Sequence, residues 1–183
     1  MRLRPVQAAD HLLILGWQNQ PEVWWLMDYE RTFTLEDIQR QEAQAEVEGL
    51  PFVIEVAGRP IGRIGLNLLR PRDGVCSLYV YIGEPEAWGR GFGRDAMVAL
   101  LGHAFEQLDL HLVELWSLAS NERALRAYRA CGFRLDGTLR ERSFKDGRWH
   151  DRIILSIRRD EFEAARERLF AQAMRAERPD LTM

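Results

Sequence analysis

The sequence predicts a mixed α/β (α+β) domain, a mostly antiparallel sheet of six to seven strands flanked by helices. Three observations carry this expectation. Between Pro51 and Ile82, three runs rich in β-branched and aromatic residues follow one another with turn residues between them. From Met97 the apolar positions Met97, Leu100, Leu101, Ala104, Phe105 and Leu108 repeat the i, i+3, i+4 spacing of one buried helical face. After that helix, strand-like and helix-like segments alternate, so a meander is followed by β-α-β-α-β, the pattern of a mixed sheet.

Taken in order, the N-terminal third reads mostly helical. Asp10 stands where it would cap a first helix carrying Leu12, Leu13, Leu15 and Trp17. Pro21-Glu22-Val23 reads as a turn. Thr34-Leu35-Glu36-Asp37 has the form of a capping box opening a second helix, which Gly49 would stop. Phe52-Val53-Ile54-Glu55-Val56, Ile61 to Leu69 and Val75 to Ile82 are three sequential antiparallel strands, the first two joined across Ala57-Gly58-Arg59-Pro60. Leu112 to Trp116 is a strand, Asn121 to Cys131 a helix, and Phe133-Arg134-Leu135 begins another strand. Arg152 to Ile157 is the last strand, joined to its predecessor across Lys145-Asp146-Gly147-Arg148. A charged helix follows from Asp160, ending in the tail Glu177 to Met183.

With 183 residues and 46% hydrophobic side chains, the chain fits one domain that needs no disulfide or metal to hold it together. Twenty-five Lys+Arg against 28 Asp+Glu give a net charge of −3, without the basic field that non-specific nucleic-acid binding requires. The longest apolar stretch, Leu12 to Trp17, is far short of the roughly 20 residues of a membrane helix. Met1-Arg2-Leu3-Arg4 runs into Pro5-Val6-Gln7-Ala8-Ala9-Asp10 rather than an apolar signal core, so a cytoplasmic protein is expected. Cys76 and Cys131 have neither CxxC spacing nor a histidine cluster, and no metal is expected.

The densest chemistry lies in Trp88-Gly89-Arg90-Gly91-Phe92-Gly93-Arg94, between a strand and the strongest helix. Three alternating glycines let a ligand approach the backbone, and a helix N-terminus adds orphan amides and a positive dipole end. An anion such as a pyrophosphate fits there, with Arg90 and Arg94 as charge-assisted donors. A P-loop is absent, since no lysine and hydroxyl residue complete GxxxxGK[ST]. Gly91-Phe92-Gly93-Arg94-Asp95-Ala96 matches GxGxxA on its face, but it follows a helical third and a meander rather than opening a βαβ unit, which disfavours a dinucleotide fold.

Trp88-Gly89-Arg90-Gly91-Phe92-Gly93 resembles the acetyl-CoA pyrophosphate loop of the GCN5-related N-acetyltransferases (GNAT), with Trp88 in place of the usual Gln or Arg. That variant is similar to the branch containing the ribosomal-protein N-terminal alanine acetyltransferases. Asn121-Glu122-Arg123-Ala124-Leu125-Arg126-Ala127-Tyr128 through Gly132-Phe133 resembles the family's Asn-x-x-Ala-x-x-x-Tyr-x-x-x-Gly-Phe helix. Together the two motifs imply a sheet with splayed central strands and acetyl-CoA as cosubstrate. Residues 1–50 would wall the acceptor site, 51–158 would form the sheet core, and 159–183 a terminal helix and tail.

By this resemblance Tyr128 would be the general acid that protonates the departing thiolate, and Asn121 a contact to the pantetheine arm as well as a helix cap. Backbone groups near Tyr81 and Ile82 would hold the thioester, with Trp88, Gly89, Arg90, Gly91, Phe92, Gly93 and Arg94 around the pyrophosphate. The general base stays open between Glu114, Glu84, Glu86 and a water chain. Cys131 reads as packing beside Tyr128, not as an acyl carrier. Trp24, Trp25 and Tyr29, beside carboxylates, would grip a cationic acceptor or else pack as a core cluster. The expected reaction is direct acetyl transfer to a primary amine: a protein N-terminus or a small molecule such as an aminoglycoside or polyamine. A non-catalytic CoA-binding or interaction module is the alternative. The last strand or the Trp149 hairpin would support a homodimer.

Overall fold

In the computed structural model, which describes residues 1–70 and 72–176, seven strands form one sheet and six α-helices flank it. The expected tail at 177–183 lies outside the described residues. The strands are β1 (Arg2–Pro5), β2 (Leu50–Val56), β3 (Arg59–Arg70), β4 (Val75–Ile82), β5 (Leu112–Leu118), β6 (Arg134–Lys145) and β7 (Arg148–Arg158). The helices are α1 (His11–Gln18), α2 (Pro21–Leu26), α3 (Leu35–Glu48), α4 (Phe92–Glu106), α5 (Glu122–Cys131) and α6 (Arg159–Ala176). The sheet order is β1-β2-β3-β4-β5-β7-β6, and only β4–β5 is parallel.

Two hairpins follow from local chemistry. Ala57 and Gly58 (φ 49° and 79°) join β2 to β3, and Asp146 and Gly147 (φ 50° and 74°) join β6 to β7. Paired positive φ values suit the two-residue turns whose twist matches that of the strands. The parallel step from β4 to β5 needs a crossover helix, and α4 supplies it. Five of the six residues of its predicted face, Met97, Leu100, Leu101, Ala104 and Phe105, are inaccessible to solvent, whereas Leu108 lies past the end of the helix and is only partly buried. This face packs on Leu78 and Val113, while Ile14, Trp17, Val23, Ile38 and Tyr81 form a second core beneath α1 to α3.

The N-terminal third departs from the helical expectation at four points. Arg2–Pro5 is a strand that pairs antiparallel with β2, and the Nε groups of Arg2 and Arg4 donate to Glu55 at 2.7 and 2.9 Å. A four-residue edge strand of alternating arginines has no local signal, because its partner is about fifty positions away. Asp10 has helical backbone angles and caps nothing at α1; its carboxylate instead accepts from both Arg4 Nη groups and from the Gln7 amide, at 2.7 to 2.8 Å. Pro21-Glu22-Val23 opens a short helix with proline at its first position, where the missing N–H has no intrahelical role. Gly49 does stop α3, but in an extended conformation (φ −165°): a Cβ there would stand 2.1 Å from the Leu66 carbonyl oxygen. The Thr34 capping box forms as expected, Thr34 Oγ1 accepting from the Asp37 amide and Asp37 from the Thr34 amide.

One polar cluster ties this N-terminal layer to the far end of the sheet. Asp28 sits at φ 57°, and its buried carboxylate accepts from Ser143 and Arg152, with Lys145 Nζ at 3.3 Å. Trp25 Nε1 donates to Asp146 at 2.7 Å, and the Lys145 ammonium lies 4.3 Å above the Trp24 ring. Burial pushes the Asp28 carboxyl up, but the hydrogen bonds from Ser143, Arg152 and Lys145 outweigh it and hold the group below its ordinary 3.8. A depressed carboxylate contributes stability above its unfolded value and loses it as pH falls through the folded one. Tryptophan fluorescence should therefore report acid release of α2 starting below about pH 4. Asp28→Asn should lower unfolding stability by about 3 kcal/mol at neutral pH, because it leaves buried cations unpaired.

Candidate active site

β4 and β5 pair at only three positions, Val75–Leu112, Cys76–Val113 and Ser77–Glu114, then run on to Ile82 and Leu118 without pairing to each other, each still held by its outer neighbour, β3 or β7. This is the splay expected from the family resemblance, and a cavity of about 700 Å³ opens at it. Alternation along β4 divides the lining. Leu78, Val80 and Ile82 meet Met97 of α4 with Ala127 and Tyr128 of α5; Ser77, Tyr79 and Tyr81 meet Arg63 of β3, Glu42 of α3 and Gln18 of α1. The cavity thus passes through the plane of the sheet.

On the α4 face the lining ends in the glycine loop. Gly89 and Gly91 hold φ 71° and 85°, a region that disfavours side chains, and Gly91 is the N-cap of α4. No side chain caps the helix, and its first amide–carbonyl bond is Asp95 N–H to Gly91 O at 3.0 Å. The amides of Phe92, Gly93 and Arg94 precede that bond and are the orphan donors of the first turn. A Cβ on Gly89 would meet nothing within 4 Å, so the space above the loop is open to a ligand. Trp88 fastens the loop to the sheet, its Nε1–H donating to the Ile82 carbonyl at 2.8 Å, while the Arg123 guanidinium stacks on its ring at 4.9 Å. Arg94 lines the cavity and pairs with Asp95 at 3.4 Å. Arg90 stacks on Phe92 at 5.1 Å and is not among the lining residues.

Asn121 is the N-cap of α5, its Oδ1 accepting from the Ala124 amide at 3.3 Å, and its side chain also faces the cavity. Two turns on, Tyr128 is 8% exposed, and burial pushes its phenol up to about 12. The group therefore keeps its proton at neutral pH and can donate it. Cys131 is fully buried and its thiol is pushed up by burial to about 12, which leaves it without thiolate character.

The expected base residues do not reach the cavity. Glu84 accepts from Trp17 Nε1 at 2.8 Å, Glu86 pairs with Arg59 at 3.2 Å, and Glu114 stands beside Ser77 at the paired end of β5. Trp116, two residues along the same face of β5, lines the cavity instead, with Arg152 over its ring at 4.2 Å. Of the three expected acceptor residues, only Tyr29 lines the cavity; Trp24 and Trp25 face the β6–β7 hairpin.

The sequence reading missed Glu42 and Arg63. Both side chains are 5% exposed, and Arg63 Nη2 donates to Glu42 at 2.8 Å and to the Tyr79 hydroxyl at 3.1 Å. Burial pushes the Glu42 carboxyl up, while the Arg63 charge pulls it the other way. The signal was present: Glu42 lies four residues after Ile38 on the buried stripe of α3, and Arg63 interrupts the apolar run of β3. Among the described residues, no group of three or more His, Cys, Asp or Glu side chains is arranged to hold a metal, and no helix is long and apolar enough to cross a membrane.

Comparison with known proteins agrees with this architecture. Residues 1–134 match the family described as acetyltransferase (GNAT) domain. The chain is 28% identical over 155 residues to the spermidine N(1)-acetyltransferase of Vibrio cholerae, covering 82% of this chain and 88% of that protein. It is 26% identical over 160 residues to the Escherichia coli spermidine N(1)-acetyltransferase, covering 86% and 85%. Its fold superposes on the crystal structure of the Vibrio cholerae spermidine N-acetyltransferase in complex with CoA and spermine, with a TM-score of 0.82 at 23% identity over 88% of this chain and 97% of that one. A ribosomal-protein-alanine N-acetyltransferase from Brucella melitensis superposes with a TM-score of 0.73 at 24% identity over 86% and 99%. The chain belongs to the GNAT acetyltransferase family and is an acetyl-CoA-dependent N-acetyltransferase.

Proposed function

We propose that the chain transfers the acetyl group of acetyl-CoA directly to a small-molecule primary amine, and that it does so in the cytoplasm. The observation that carries this reading is the cavity, which joins the uncapped N-terminus of α4 on one face of the sheet to the buried polar side chains of Gln18, Glu42 and Arg63 on the other. The similarity to two spermidine N(1)-acetyltransferases supports a small-molecule acceptor over a protein N-terminus.

In this reading the amides of Gly89 to Arg94 and the Arg94 guanidinium bind the pyrophosphate, with Trp88 and Phe92 framing the loop and Arg90 contributing charge from outside. Past Ser77 the inner edge of β4 lacks a strand partner, so backbone groups near Tyr81 and Ile82 are available to the pantetheine arm and the thioester carbonyl. Asn121 contacts the arm from the start of α5. Tyr128 donates its proton to the sulfur as the carbon–sulfur bond breaks and the amine nitrogen bonds to the acetyl carbon. The proton lost by the amine leaves through water, and Glu84 and Glu114 take part only through that water. The homodimer expectation attaches to the exposed Leu135, Leu139, Phe144 and Trp149 of the β6–β7 hairpin, and sedimentation of the purified protein would test it.

Calorimetry with acetyl-CoA should give micromolar affinity. Arg94→Glu should weaken it at least about tenfold, because a charge-assisted hydrogen bond is lost, and Arg90→Glu should weaken it less. Tyr128→Phe should lower kcat about 100-fold with acetyl-CoA affinity unchanged. Because the phenol titrates only near 12, the wild-type rate should show no fall from Tyr128 ionisation up to about pH 10. Full activity in Tyr128→Phe would falsify the acid assignment, and acetyl-CoA binding without turnover of any amine would favour the non-catalytic module.

A further inference from the structure

We infer that the chamber on the α3 face of the sheet selects an amine that also carries uncharged hydrogen-bond donors such as hydroxyls, and discriminates against polycations. This inference rests on the acetyl-transfer reading above and names the acceptor class of the same site.

Three buried polar atoms among the cavity-lining residues of this face lack a partner: Gln18 Oε1, Asn67 Oδ1 and Arg63 Nε. Two of the three are acceptors. Gln18 and Arg63 are 3 and 4% exposed, so their atoms are withdrawn from bulk water. A buried polar atom without a partner retains the full cost of its desolvation, and a ligand that satisfies it gains what folding gave up. What is missing here is mainly donors.

The geometry is extended. Gln18 Nε2 reaches the Tyr81 hydroxyl at 3.5 Å; Tyr81 faces Arg63 across the β3–β4 ladder, and Arg63 in turn holds Glu42 and the Tyr79 hydroxyl. The Tyr79 ring lies over Gly65, where a Cβ would be 2.5 Å from its hydroxyl. Beyond it, Asn67 shares the Arg63 face of β3, about 13 Å further along the strand. Glycine at position 65 thus makes room for the tyrosine that continues a row of polar atoms from Gln18 to Asn67.

The charge in this row cancels. Glu42 Oε1 lies 2.7 Å from Arg63 Nη2, and the other chamber residues, Gln18, Asn67, Ser77, Tyr29, Tyr79 and Tyr81, are neutral. Glu22 also lines the cavity but is exposed to solvent at its mouth. A second ammonium drawn into the chamber would lose hydration and meet a carboxylate already neutralised by Arg63. A hydroxyl requires only the acceptors that are present.

The test compares three unbranched primary amines under saturating acetyl-CoA: hexylamine, 1-amino-1-deoxysorbitol with the same six-carbon chain and five hydroxyls, and spermidine. The hydroxylated amine should show kcat/KM at least about tenfold above both others. Gln18→Leu and Asn67→Leu should each raise its KM about tenfold while leaving the KM for acetyl-CoA and for hexylamine unchanged, a split that general loosening of the fold would not give. Arg63→Met, which unmasks Glu42, should shift the preference at least about tenfold toward spermidine. Should that variant fail to fold, the two leucine variants carry the test alone. Preference of the wild type for spermidine or hexylamine overturns the inference, as do leucine variants with unchanged KM, which would mean that water fills the row. Turnover of none of the three, with acetyl-CoA still bound, overturns the acetyl-transfer reading and the subsite with it.

Discussion

The ligand-bearing half of this protein depends on β4 and β5 ceasing to pair after Ser77 and Glu114. A sheet that stayed paired to Ile82 would be closed, with one core above it and another below. Because the two strands part, side chains from both faces of β4 border the same cavity, and the edge of β4 keeps backbone groups that no strand satisfies. Such groups are costly when buried dry, so the gap is suited to an extended polar ligand. The crossover through α4 makes the parting possible: it leaves β4 at Ile82, passes through the glycine loop, and returns to the sheet only at Leu112.

The loop and the splay are one construction. Trp88 donates to the carbonyl of Ile82, the last residue of β4, so the position of the α4 N-terminus is fixed relative to the opened strand edge. Gly89 and Gly91 supply left-handed backbone, and no capping side chain competes for the first-turn amides. Trp88 gives the loop a rigid tie to the sheet.

The acceptor side is held from further away. Asp28, Trp24 and Trp25 anchor the turn after α2 to the β6–β7 hairpin through Ser143, Lys145, Asp146 and Arg152. Trp24 and Trp25, two of the three aromatics that look like ligand-gripping residues in the sequence, thus fasten α2 to the hairpin, while Tyr29 lines the cavity. The ionised pair that does face the chamber, Glu42 and Arg63, comes from two elements that local sequence cannot bring together.

Much of the fold was legible in the amino-acid order because its signals are local. The helical face from Met97 to Phe105, the Thr34 capping box and the Asp146-Gly147 turn depend on neighbours a few residues apart. So do the glycine loop and the Asn121-to-Tyr128 spacing, which is why both motifs and the family they resemble could be read directly. What depends on distant partners could not be read: strand β1, whose register comes from Glu55 and its neighbours; the carboxylate of Asp10, turned to Arg4; and the insertion of β7 between β5 and β6. The sequence alone determined that a glycine-rich loop opens one helix and that Asn121 and Tyr128 share another. Which carboxylates and aromatics line the cavity was decided only in the tertiary structure, because pairing Glu42 with Arg63 and Trp24 and Trp25 with the hairpin requires segments 21 and more than 100 residues apart to pack first.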